Sequence, residues 1–204
     1  MIRHAAGIST NPLTQDTMIE RLKGLNLYLI GMMGAGKTTI GRRLATELGY
    51  RFFDTDAVIE QAAGQSIAEI FAAVGESEFR ALETQVLAEL SSYRRLVVAT
   101  GGGIVLSRNN WSHLREGLVI WLDVPVTALF DRLKTDRSRP LLQTENPQQT
   151  LQTLLDDRAP LYAQADLRIS ITATETPDLI TSRILAAIPT VLKPDTPLPD
   201  PDIN

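Results

Sequence analysis

The run Gly31-Met32-Met33-Gly34-Ala35-Gly36-Lys37-Thr38 constrains this chain more than any other segment. It fits the pattern G-x-x-x-x-G-K-[ST] at every fixed position. Apolar residues 25–30 precede it and read as a strand. Residues 38–48 follow it and read as a helix, with Ile40, Leu44 and Leu48 on one face. Strand, glycine-rich turn and helix, in that order, form a cradle for polyphosphate. The glycines let successive backbone N–H groups turn inward onto phosphate oxygens. The helix N-terminus adds partial positive charge. Lys37 is expected to reach the β and γ phosphates of ATP, and Thr38 to offer its hydroxyl to Mg²⁺. Gly34, Ala35, Gly36 and Thr39 belong to the same ATP-binding turn.

A cradle of this kind needs a parallel sheet around it, and the rest of the chain supplies the pattern. Short β-type runs at residues 51–53, 96–99, 118–122 and 167–171 alternate with helical stretches. Residues 67–91 read as two helices broken near Gly75. Residues 127–134 and 148–163 read as helices. Thr176 reads as an N-cap with Pro177 at the first helical position, opening a last helix to about Ile188. Strands separated by helices imply right-handed crossovers and an α/β fold with helices on both faces of the sheet. Ligands of such sheets lie beyond the carboxyl ends of the strands.

Several residues stand at those ends. Asp54-Thr55-Asp56 follows the second strand; read as an extended segment, it points both carboxylates the same way. One could hold Mg²⁺ through water and the other could take a hydrogen bond from an acceptor hydroxyl. Gly101-Gly102-Gly103 follows the third strand and allows close backbone approach to a ligand. Arg137, Arg139 and Pro140 fall in a polar stretch with the character of a lid, and a lid arginine stabilises charge on a transferring phosphoryl group. Arg80 and Glu83, three apart, read locally as a surface ion pair. Arg158 reads locally as a helix-surface residue. Asp123, at the end of the fourth strand, reads as a strand-end residue rather than a magnesium site.

Composition removes other classes. There is no cysteine, so no disulfide, thiolate nucleophile or Cys-ligated metal is available. The two histidines, His4 and His113, are far apart, and His113 reads as a packing residue. A net charge of -4 argues against a nucleic-acid-coating protein. No apolar run approaches membrane-spanning length, and residues 1–16 lack an apolar signal core, so no membrane partner and a cytoplasmic location are expected. The ends read as appendages: residues 1–23 as an extension with one short helix capped by Thr17 and Glu20, and the Pro/Asp-rich residues 189–204 as a disordered tail.

Six short segments, taken in order, resemble the shikimate kinase family of adenylate-kinase-like P-loop kinases. They are Gly31 to Arg42, Phe53-Asp54-Thr55-Asp56, Gly75-Glu76 with Phe79-Arg80 and Glu83, Gly101-Gly102-Gly103, Arg139-Pro140-Leu141-Leu142, and Arg158-Ala159-Pro160-Leu161-Tyr162. The resemblance covers residues 24–188. It implies a five-stranded parallel sheet in the order 2-3-1-4-5, an acceptor-binding region at about 54–92 and a lid at about 134–147. It implies transfer of the γ-phosphoryl group of ATP to the 3-hydroxyl of shikimate, with Mg²⁺, by a monomer. Asp56 matches the carboxylate that contacts the acceptor hydroxyl and acts as its base. Asp54 matches the one near magnesium. Arg80 and Arg158 match the pair that grips the substrate carboxylate, and Gly101, Gly102 and Gly103 match the loop lining its ring. Arg139 matches the lid arginine near the phosphates, catalytic together with Lys37 and Asp56. Arg132 matches an arginine that packs on adenine. Family members often carry another arginine after the last strand; here that segment reads Thr172-Ala173-Thr174-Glu175-Thr176-Pro177. The alternatives are a kinase for gluconate or a nucleoside monophosphate, and a non-catalytic nucleotide-binding module.

Overall fold

The computed structural model describes residues 15–134 and 144–192. Its five strands are β1 (Leu27–Ile30), β2 (Arg51–Asp54), β3 (Leu96–Ala99), β4 (Leu118–Asp123) and β5 (Leu167–Ser170). They form one parallel sheet in the order β2-β3-β1-β4-β5. This is the expected order. The central strands are apolar throughout because helices cover both faces: every residue of β1 and β3 is buried. The edge strand β5 alternates buried and exposed.

The helices are α1 (Gln15–Leu22), α2 (Lys37–Leu48), α3 (Thr55–Ala63), α4 (Ile67–Ser91), α5 (Arg108–Leu114), α6 (Val126–Leu133), α7 (Pro147–Tyr162) and α8 (Pro177–Val191). Several differ from the sequence reading. β1 begins at Leu27, because the Leu25 N–H turns back onto the Leu22 carbonyl. Thr55 and Asp56 are not extended: they open α3, whose N-cap is Asp54. The short helix α5 and a 3-10 turn at Ile104–Leu106 lie in a stretch where no element was expected. The break expected near Gly75 is present: Gly75 is non-helical, at φ 79 and ψ 176, and kinks the run that is α4.

Part of each end lies among the described residues. α1 places Met18 and Leu22 in the main core. A fully buried Leu contributes about 1.5–3 kcal/mol, so this helix is anchored to the core. α8 continues through Pro189 to Val191, and Arg21 of α1 donates to the carbonyls of Pro189 and Leu192. The remainder of both tails, and most of the expected lid including Arg137, Arg139 and Pro140, lies outside the described residues. Asn146 caps α7, and Pro147 is its first residue.

Among the described residues no helix is long and apolar enough to cross a membrane. Two apolar clusters form. The larger surrounds the sheet. The smaller joins Ile59 of α3 to Ile70 and Phe79 of α4, over the carboxyl end of β2.

Candidate active site

The turn between β1 and α2 folds as a cradle. Gly36 precedes α2 at φ 93, where a side chain would be strained, and no side chain caps the helix. The first N–H groups of α2 are therefore not taken by a capping side chain and face the space above the turn. Lys37 is buried and folds back over the turn, donating to the Gly31 carbonyl at 2.8 Å and the Met32 carbonyl at 2.9 Å. Arg132 of α6 donates to the Gly34 carbonyl at 3.0 Å, which places its guanidinium at the lip of the cradle.

Asp54 joins the cradle to the neighbouring strand. The Thr38 hydroxyl donates to Asp54 Oδ2 at 2.6 Å, and the Asp56 N–H donates to Asp54 Oδ1 at 3.1 Å. One carboxylate thus caps α3 and touches the phosphate turn. Thr55, fully buried, accepts the Gly101 N–H at 2.9 Å and fixes the triglycine loop against α3.

A cleft of about 620 Å³ runs from the cradle to α3 and α4. Gly34, Gly36, Lys37, Thr38 and Thr39 line one end. Asp54, Asp56, Arg80, Glu83, Gly101, Gly102, Gly103 and Arg158 line the rest. The fold therefore gathers in one cleft every expected site residue that it describes, except Arg132 at the rim and Ala35, which is buried in the turn. Asp123 stands apart, paired with Arg168 at 2.8 Å, as a strand-end residue does. His113 packs against Ser91 through Nδ1 at 3.1 Å.

The two arginines of the cleft differ. Arg80 is held by carboxylates on both sides: Nη1 donates to Glu83 at 2.5 Å and Nη2 to Glu76 at 2.9 Å. Its guanidinium also lies over the ring of Phe79, 5.4 Å from the centroid. Burial works against its charge, and the Glu83 and Glu76 carboxylates overcome that, so its pKa is raised. Arg158 is 4% exposed, and among the described residues no carboxylate forms an ion pair with it. It is not the surface residue that its local sequence suggested. Its charge is felt by the buried Glu83 carboxyl and it hydrogen-bonds Tyr162, so the cation sits inside the cleft wall rather than in water.

Glu83 is also more than half of a surface pair. It is 1% exposed, and its Oε1 is buried without a hydrogen-bond partner. Burial pushes its carboxyl above the ordinary range, against the pull of Arg80. A Cβ at Gly101 would collide with the Glu83 and Asp56 carboxylates, and one at Gly103 would fall on the Arg80 guanidinium. A side chain at either glycine would have to push these charged groups aside. The sequence reading did not single out Tyr162 as a site residue. It stands one helical turn after Arg158, and that i, i+4 spacing was the available signal.

The oxygen donors suit magnesium. Thr38 and Asp54 offer adjacent hard oxygens at the mouth of the cradle. Among the described residues no cluster of three or more acidic or His side chains forms a complete cage. Magnesium keeps waters and takes phosphate oxygens as ligands, so a partial set of this kind fits it.

A model of the shikimate kinase family matches residues 33–189. The chain belongs to the shikimate kinase family. It is 60% identical over 176 residues to the shikimate kinase of a Nostoc species, covering 86% of this chain and 97% of that protein. It is 59% identical over 177 residues to the shikimate kinase of Synechococcus elongatus, with 87% and 93% covered. Among solved structures it is similar to a shikimate kinase from Acinetobacter baumannii in complex with shikimate, at TM-score 0.80 and 42% identity, covering 85% of this chain and 97% of that one. Family membership and the parallel sheet agree with the expectations drawn from the sequence.

Proposed function

We infer that the protein transfers the γ-phosphoryl group of ATP to the 3-hydroxyl of shikimate, giving shikimate 3-phosphate and ADP. Within the site, one observation carries the choice of acceptor. Arg158 is buried, unpaired by any described carboxylate, and in the same cleft as Lys37 and Asp56. That arrangement fits a small hydroxylated carboxylate held at one end by guanidinium groups and presented to phosphate at the other.

The roles follow from position. The cradle N–H groups and Lys37 hold the β and γ phosphates. Arg158, with Arg80, takes the acceptor's carboxylate. Asp56, in the first turn of α3, accepts the hydrogen bond of the reacting hydroxyl and removes its proton as the oxygen attacks. Gly101, Gly102 and Gly103 let the ring lie against the backbone. Thr38, and Asp54 through water, would hold Mg²⁺, which neutralises phosphate charge when bound. Arg132 contacts the nucleotide in this reading, which its bond to the Gly34 carbonyl supports. Arg139 of the lid completes the charge neutralisation in this reading. Catalysis is then alignment and electrostatics, with little covalent work for the protein. The protein works as a monomer in the cytoplasm, with ATP and shikimate as its partners.

The test is a coupled ADP-release assay with shikimate, gluconate and AMP side by side. Shikimate-dependent turnover far above the other two is expected. Equal or greater turnover with gluconate would replace the acceptor, and no turnover with any of them would leave a nucleotide-binding module.

A further inference from the structure

Tyr162 ends α7 with its side chain fully buried, at the point where three parts of the site meet. Its hydroxyl donates to the Gly102 carbonyl at 2.6 Å. The same oxygen lies 3.7 Å from the Met32 sulfur in the phosphate cradle. The ring stacks on Trp121 of β4, with centroids 5.7 Å apart and 28° between the planes. Arg158 sits one helical turn earlier on the same helix.

These contacts close a circuit. A Cβ built at Gly102 would stand 3.6 Å from Arg158 Nη1, 3.6 Å from the Gly31 carbonyl oxygen and 3.4 Å from the Met33 nitrogen. The triglycine loop is therefore packed between the anion-seeking arginine and the backbone of the phosphate cradle. Tyr162 is the side chain that ties the loop to both. Burial pushes its phenol up to about 12, against the charge and side-chain hydrogen bond of Arg158, which favour the phenolate. The group thus remains a hydrogen-bond donor at every pH at which the fold operates.

We propose that Tyr162 is a positioning residue: through its hydroxyl it sets Gly102 and Arg158 in register with the phosphate cradle, and so fixes the acceptor relative to the phosphoryl donor. It touches neither substrate. The proposal rests on the reading that Arg158 holds the acceptor's carboxylate. Without the hydroxyl the Gly102 carbonyl loses its donor, and a buried polar group without a partner drives local rearrangement. The loop then relaxes away from α7 and the guanidinium loses its reference point. The cradle, held separately by Lys37, keeps its shape.

Tyr162→Phe tests this, because it keeps the ring and its stacking on Trp121 and removes only the oxygen. The variant is assayed well below its melting midpoint, with steady-state constants measured for both substrates. The expected result is a loss of about tenfold or more in kcat/KM for shikimate, with the ATP KM within about twofold of wild type. The deciding measurement is a double-mutant cycle with Arg158→Lys. Tyr162→Phe should cost less than about twofold in the Arg158→Lys background, because the group it positions has gone. Additive losses, equal losses for ATP and shikimate, or no loss at all would each overturn the proposal. If either variant is too impaired for turnover, calorimetric shikimate binding replaces kinetics in the same cycle and is judged by the same additivity. A wild-type enzyme inert toward shikimate would instead refute the acceptor reading, and that result is seen before any variant is made.

Discussion

Thr38 Oγ1 and Asp54 Oδ2 are joined by a 2.6 Å hydrogen bond that ties the phosphate turn of β1 to the end of β2, a strand two places away in the sheet. The other oxygen of the same carboxylate caps α3 at the Asp56 N–H. The position of Asp56 is thereby referred directly to the turn that holds the phosphates.

Asp54→Asn separates charge from capping. Asparagine remains a good N-cap, so α3 should form as before. The anionic oxygen beside Thr38 is lost. Half-maximal activity is expected to need about 10–100-fold more Mg²⁺, the usual cost of losing an outer-shell partner. A magnesium titration that superimposes on wild type would remove Asp54 from the metal site.

Asp56→Asn addresses the proton. Turnover should fall by roughly 10²–10⁴, the range that general-base catalysis contributes. The shikimate KM should move far less, because an amide still accepts a hydrogen bond. Near-wild-type turnover would show that Asp56 is not the base.

Arg80→Ala addresses the carboxylate clamp. Loss of a charge-assisted hydrogen bond worth about 1.5–3 kcal/mol should raise the shikimate KM by about 10–100-fold and leave the ATP KM nearly unchanged. Parallel weakening of both substrates would contradict the clamp. The variant also strands Glu83 in its buried position, so a lower melting midpoint is part of the expectation.

Glu83 gives the fold a pH dependence of known sign. Its pKa in the folded protein lies above the ordinary 4.5 because burial disfavours the carboxylate. The folded state thus holds this proton more tightly than the unfolded chain does. The stability that this preference contributes is complete below the unfolded pKa and is lost as pH rises through the folded one. Thermal melts of wild type and Glu83→Gln across that range should diverge, with the variant gaining relative to wild type as pH rises. Parallel melting curves at all pH values would mean that Glu83 is not strained by its burial.

The framework of the molecule was legible because its signals are local. The cradle is one contiguous motif, and β1, β3 and β4 are short apolar runs with nothing else to be. The acceptor side was harder to read from residue patterns alone. Arg158 looks like a surface residue because most of α7 is polar, and only the packing of Leu151 and Tyr162 shows which face is inside. Arg80 and Glu83 form the spacing of an ordinary exposed pair, and burial against α3 and the triglycine loop changes their meaning. Asp54-Thr55-Asp56 reads as extended until Asp54 is seen to cap a helix. In each case a non-local contact overrode a local pattern, and family resemblance supplied what spacing could not.

The small apolar cluster of Ile59, Ile70 and Phe79 is separate from the main core, and α4 bends at Gly75 between its members. The α3–α4 end of the cleft therefore rests on an apolar support of its own, distinct from the core beneath the phosphate turn.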